Sequence, residues 1–214
     1  MNDIELIKDR LEHYCEFTPS TCYILLLLAR KKENPELTEK HKLEKCNRLL
    51  IHTQEDIDHA LEEMLSRARL SPGLVFRVYV SVNPRSLLKG LYEMITRLAR
   101  ISLDLINGNT QAYTTLARLG SEFKSLLAER ACRASRRLLF DVDFDNKTTD
   151  GISNAARFHD SLYPLSVKVY ANWPTLNGFA VVTDPFNVQD LGKLPEGIEI
   201  KSDDYLYLGV LNHG

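Results

Sequence analysis

The run Phe140-Asp141-Val142-Asp143-Phe144-Asp145 holds the residues whose types and spacing could do chemistry. On an extended strand side chains alternate, so Leu138, Phe140, Val142 and Phe144 share one face and Leu139, Asp141, Asp143 and Asp145 the other. Neighbours on one face lie ~6.6 Å apart. Two ionised carboxylates at ~6.6 Å repel by ~2.5 kcal/mol at an effective dielectric of about 20, and Asp is a poor strand former. Bound divalent cations would offset that cost, and hard carboxylate oxygens suit magnesium or manganese. The competing account is a surface edge strand whose aspartates are simply solvated. The apolar opposite face fits either.

Two basic features lie nearby. Asn83-Pro84-Arg85 follows a strand pattern; Asn is a favoured helix cap and Pro a favoured first helical residue. A helix starting there would offer free N–H groups to a phosphate, with Arg85 adding charge; an ordinary strand-to-helix turn fits the spacing equally well. Arg130, Arg133, Arg136 and Arg137 precede the acidic strand. Such a cluster is either a solvated helix end or, beside a metal site, a guide for a nucleic-acid backbone through Arg133, Arg136 and Arg137. The six histidines show no paired ligand spacing, and the four cysteines are too dispersed for a zinc site. They read as free thiols of a reducing compartment.

The elements that must position these residues fall into two parts. Residues 1–70 read as a helical N-terminal unit. Ile4, Ile7, Leu11 and Tyr14 recur at helical spacing, the Leu25–Leu28 run reads as a buried helix, and Asn34-Pro35 opens another through about Leu50. Thr53-Gln54-Glu55-Asp56 has capping-box spacing before a helix to Arg69. Ser71-Pro72-Gly73 then breaks the pattern. From 71 to 214 the chain reads as an α/β (α+β) core with a mostly antiparallel sheet: a strand over 75–82, helices from Leu87 and Thr110, then strands over 138–144, 167–173 and 179–183. A closing hairpin is expected from 198–200 and 205–211 around Ser202-Asp203-Asp204.

With 214 residues, 44% hydrophobic and 26% charged, the chain is long enough for a substantial core, and a formal charge of −2 argues against a wholly basic nucleic-acid coat. The apolar run at Tyr23–Ala29 is far shorter than the ~20 residues of a spanning helix. No membrane partner and a cytoplasmic location are the expectation.

Taken together, these motifs resemble the archaeo-eukaryotic primase superfamily, in its primase-polymerase-like phage and plasmid form. The resemblance covers about residues 75–211. It rests on Val82-Asn83-Pro84-Arg85 ending an early strand, on Phe140-Asp141-Val142-Asp143, and on Thr175-Leu176-Asn177-Gly178-Phe179-Ala180 followed by Pro185-Phe186-Asn187. It implies metal-dependent nucleotidyl transfer in the cytoplasm, that of the host if the protein is phage-encoded. Asp141 and Asp143 would be catalytic and metal-binding, with Asp145 beside them. The partners would be a nucleoside triphosphate, DNA or RNA, and magnesium or manganese. Asn83, Arg85, Lys168, Asn177 and Gly178 would contact nucleotide. Two departures stand out: Ala180 replaces the family's phosphate-binding histidine, and the third carboxylate has only Asp203 or Asp204 as nearest candidate. His159 and Lys168 are placed in sequence to compensate. A catalytically lapsed binding protein and a metal-dependent nuclease, the latter with Lys168 as its base, are the alternatives.

Overall fold

A computed structural model of the chain describes residues 3–35, 46–143, 149–176, 178–192 and 197–212. In chain order the elements are α1 (Asp3–Tyr14), β1 (Thr21–Ala29), β2 (Cys46–Ile51), α2 (Asp56–Arg69), β3 (Val75–Ser81), β4 (Arg85–Ser86) and α3 (Leu87–Ile106). They continue with α4 (Ala112–Leu127), β5 (Leu138–Asp143), α5 (Thr149–Leu162), β6 (Val169–Pro174), β7 (Gly178–Thr183), β8 (Ile198–Lys201) and β9 (Tyr205–Asn212). The fold is α+β with two sheets. One runs β2-β1-β3-β9 with β4 added to β1, the other β6-β7-β5-β8. Every strand pairing in both is antiparallel.

The first seventy residues are not helical throughout. The Leu-rich run is β1, an interior strand of the first sheet, flanked by β2 and β3. The reason is burial on both faces. Tyr23, Leu25, Leu27 and Ala29 pack with Ile7 and Leu11 of α1 and Ile57 and Met64 of α2. On the other face Cys22 and Ile24 pack with Leu127 and Cys132. A strand covered on both sides loses its alternation and reads as a continuous apolar run, which periodicity cannot separate from a buried helix. The helix expected from Asn34-Pro35 is overturned at its far end, where Cys46–Ile51 is β2; residues 36–45 lie outside the described residues. Because β1 pairs with β3, residues on both sides of Ser71 share one sheet and one core.

Local signals behave as their chemistry dictates. Asp56 accepts from the His52 and Thr53 backbone amides at 2.7 and 2.9 Å, while Thr53 Oγ1 accepts from the Asp56 amide at 3.3 Å. That is a reciprocal cap with Asp in the role of Glu. Helix α3 starts at Leu87, as the apolar spacing indicated, but Ser86 and not Asn83 accepts from the Lys89 amide and caps it. Helix α4 ends at Leu127, and a short 3-10 turn covers Arg130–Cys132. Strands β8 and β9 exist but form no hairpin. β8 pairs with β5 in the second sheet and β9 with β3 in the first, so Ser202-Asp203-Asp204 passes between sheets.

The sheets are held together from several directions. Leu139, Ala171, Ala180 and Val182 of the second sheet join the core formed by α1, α2 and the first sheet. Arg10 of α1 donates to the Leu208 carbonyl at 2.6 Å and the Pro174 carbonyl at 3.2 Å, one from each sheet. On its far face β5 puts Leu138, Phe140 and Val142 against Phe158 and Leu162 of α5.

Candidate functional site: a cleft between the two sheets

Asp141 sits on β5, which lies between β7 and β8 and is no edge strand. Its side chain shares the Leu139 face, as alternation requires, and opens into a cleft of about 450 Å³ between the sheets. The first sheet supplies Arg77 and Tyr79 from β3 and Tyr205 and Tyr207 from β9; Arg30 and Lys32, just beyond β1, complete the basic side. The second sheet contributes Asp141, Ala180 and Lys201. One wall is therefore acidic and the other basic and aromatic.

On the acidic wall the register is specific. Asp141 pairs directly with Glu199 of β8 and with Ala180 of β7. Directly opposed residues share a face, so two carboxylates are set against each other at a cost. Lys201 relieves it. Its Nζ lies 2.8 Å from Asp141 Oδ2, 3.5 Å from Glu199 and 3.7 Å from Asp204. Burial draws the Lys201 pKa down, but the hydrogen bond it donates to Asp141 and the charges of Asp141, Asp204 and Glu199 outweigh it, and the net shift is upward. The ammonium serves here as a built-in counter-cation.

On the basic wall Arg77 is bound by Glu33 and lies 3.4 Å from the Tyr79 hydroxyl. Burial opposes its charge; Tyr79 and Glu33 more than restore it. The rings of Tyr79 and Tyr207 meet edge to face with centroids 5.7 Å apart. Cations beside aromatic faces make a surface suited to phosphate and to a planar base.

The expected site residues are brought together only in part. Asp143 ends β5, with its backbone paired to Gly178; its side chain, Asp145 and Asn177 lie outside the described residues. Asn83 and Arg85 are buried and face no cleft. Asn83 Nδ2 donates to the Ser202 carbonyl and to Asp203, and its Oδ1 accepts from the Arg137 amide at 2.6 Å. Arg85 donates to Asp203 at 3.0 Å and to the Glu129 carbonyl. No phosphate-binding helix start lies at Asn83, since the cap of α3 is Ser86, three residues further along the chain.

The arginine cluster divides likewise. Arg137 is buried, with its guanidinium 3.7 Å from the Tyr170 ring centroid and 2.8 Å from Glu16. Arg133 donates to the Ser202 carbonyl, whereas Arg130 and Arg136 are exposed. Lys168 is held by Glu16 at 2.6 Å and His159 is exposed on α5; neither lines the cleft. Of the two candidates for a third carboxylate, Asp203 is engaged by Arg85 and Asn83, and Asp204 reaches the cleft.

Glu199, Lys201 and the basic wall escaped the sequence reading. A signal existed for Arg77 and Tyr79, which share the polar face of an alternating strand. Glu199 and Lys201 could be found only from the β5–β8 register. Asp141 and Glu199 are hard donors of the kind magnesium and manganese take, usually with water and substrate oxygens completing the shell. Among the described residues no group of three or more His, Cys, Asp or Glu side chains converges on one point.

These features define an α+β protein with a polar cleft between two antiparallel sheets. No family model, curated protein or solved structure matches the chain. Among the described residues no helix is long and apolar enough to cross a membrane.

Proposed function

We propose that the cleft binds a nucleotide together with a divalent cation, and that the protein handles nucleotides or nucleic acid in the manner of a primase-polymerase. One observation carries this reading: Asp141 faces a cleft whose opposite wall presents Arg30, Lys32, Arg77 and three tyrosines. Phosphates would meet the cations, the base would lie on the tyrosines, and Asp141 with Glu199 would hold a magnesium-type ion. Such an ion supplies charge neutralisation at phosphate oxygens. The chain's own contribution is to orient the phosphates between the walls and to keep Lys201 poised beside Asp141.

Ala180 supports a second reading, binding without turnover. It is buried directly opposite Asp141, where the resemblance calls for a phosphate-binding histidine, and a methyl group donates no hydrogen bond. Loss of one preorganised donor costs roughly 2.7–4 kcal/mol of transition-state stabilisation elsewhere. Lys201, kept charged by the carboxylates around it, gives the nuclease alternative no base, and Lys168 is held by Glu16 away from the cleft.

Calorimetry with manganese and a nucleoside triphosphate tests binding, using wild type and Asp141→Ala. Binding lost in Asp141→Ala is expected; equal binding by both would overturn the proposal. Primer extension, unprimed synthesis and nuclease assays with manganese then separate the readings. Synthesis marks an active transferase, cleavage a nuclease, and silence in all three a binding protein, with Ala180→His as the variant to regain synthesis.

A further inference from the structure

The two walls of the cleft differ in how far their charges are already spent. On the acidic wall one ammonium serves three carboxylates: Lys201 Nζ lies 2.8 Å from Asp141, 3.5 Å from Glu199 and 3.7 Å from Asp204. Asp204 gives its other oxygen to the Tyr205 amide at 2.8 Å. Those separations suit N–H donors and not a magnesium ion, which takes its oxygens at about 2.0–2.1 Å. A cation that arrives alone must expel Lys201 and leave a partly buried ammonium without a partner, which is costly.

The basic wall keeps charges in reserve. Arg77 is taken by Glu33. Arg30 and Lys32 line the cleft and are exposed, and among the described residues no carboxylate holds either. Arg30 follows Leu26 and Leu28 on the cleft side of β1. An anion therefore meets these two cations without breaking any pair. Its other oxygens then share the cleft with the Lys201 ammonium, which can exchange Asp141 for a phosphate and stay partnered. Asp141 and Glu199 are left as free carboxylates beside a bound phosphate, the hard oxygen donors a divalent ion takes. After the exchange every charge has a partner again: ammonium with phosphate, carboxylates with metal.

We propose that the cleft loads in a fixed order, the phosphate-bearing ligand first and the divalent cation second, with Lys201 as the switch between them. The inference rests on the reading of the cleft as a nucleotide and cation site, and it supplies the regulation of that site. Linkage makes the effect reciprocal: the factor by which the ligand raises cation affinity is the factor by which the cation raises ligand affinity. Manganese binding by the full chain, read from the loss of the free-ion electron paramagnetic resonance signal, tests the order with and without a nucleoside triphosphate. Nucleotide-free wild type should leave manganese free at concentrations where the nucleotide-bound protein takes it up. Lys201→Met should bind manganese without nucleotide, about tenfold or more tightly than wild type. Lys201→Arg keeps a cation beside Asp141 and should stay silent. Nucleotide should raise manganese affinity in wild type by a factor about ten times that in Lys201→Met; the solution complex of manganese and triphosphate contributes equally to both. Metal-free triphosphate should bind wild type weakly, and Arg30→Ala with Lys32→Ala should bind it less. Saturable manganese binding by nucleotide-free wild type, abolished in Asp141→Ala, would overturn the proposal and leave the reading of the cleft standing; it requires no Lys201 variant to fold. A Lys201→Met protein that binds manganese no more tightly than wild type would also overturn it. Failure of manganese and triphosphate to bind together would overturn the reading of the cleft and the loading order with it.

Discussion

Arg85 and Asp203 form an ion pair at 3.0 Å with both side chains withdrawn from solvent, joining β4 of the first sheet to the segment that carries the chain from β8 to β9. Asn83 donates to the same carboxylate at 3.2 Å, and Arg133 approaches it at 3.9 Å. The turn that resembles a nucleotide-binding motif therefore serves as a clasp between sheets. Removing one partner of a buried pair strands the other charge, which costs far more than the pair itself contributes.

Asp203→Ala is expected to lower stability by about 3–5 kcal/mol, since Arg85 would be left buried and uncompensated. Asp203→Asn keeps a hydrogen-bond acceptor and should cost less. Urea unfolding of the three proteins measures this. A loss below about 1 kcal/mol for Asp203→Ala would show that Arg85 finds another partner or water.

Gly209 on β9 lies directly under α1. A Cβ built there would be 2.7 Å from Cγ1 of Ile7, inside any tolerable contact. Gly209→Ala should cost about 1–3 kcal/mol through overpacking. Combining it with Ile7→Ala should cost less than the sum of the two single changes, because the second removes the clashing atoms. Strict additivity in thermal unfolding would refute this account of how α1 sits on the sheet.

Much of this architecture was legible in the sequence, and the losses have identifiable causes. Alternation at Phe76, Val78 and Val80 and at Leu138, Phe140 and Val142 gave β3 and β5 their correct faces, because each strand has one wholly apolar face and carries its polar residues on the other. The run at Leu25–Leu28 misled because both its faces are covered. Ile198–Ile200 and Tyr205–Leu211 were legible as strands, yet their partners were not. Proximity in sequence favours a hairpin, whereas here each strand completes a different sheet. Asp141 stood out as an anomaly of composition. Glu199 and Lys201 are ordinary residues for a short polar strand, and only cross-strand register gives them meaning.

Alkaline pH should weaken the fold in a defined window. Burial pushes the Tyr23 hydroxyl up from 10.0 to about 12, against the pull of Arg137, and the Cys22 thiol up from 9.0 to about 12, against Arg85. The folded state keeps protons that the unfolded chain releases. Their contribution is thus complete below the unfolded values and is lost as pH rises through about 9 to 12. Urea midpoints are expected to stay level near neutrality and fall across that range, with a smaller fall in Tyr23→Phe. Stability that rises above pH 9 would contradict the assignment. At pH 8 the buried thiols of Cys15, Cys22 and Cys132 should react with Ellman's reagent only after denaturation.

Lys201 offers the sharpest test of the acidic wall. Its ammonium holds Asp141 at 2.8 Å and stands beside Glu199 at 3.5 Å, so Lys201→Met leaves two directly opposed carboxylates without their counter-charge. The cost should be about 1 kcal/mol at low salt, shrinking as salt screens the repulsion. A divalent cation that binds Asp141 and Glu199 then has no ammonium to displace. Manganese should therefore bind the variant more tightly than wild type and raise its melting temperature in proportion to the logarithm of metal concentration above the dissociation constant. Asp141→Asn added to Lys201→Met should remove both the repulsion and the manganese response. A variant destabilised at low salt but blind to manganese would mean that Lys201 neutralises a purely structural pair of acids.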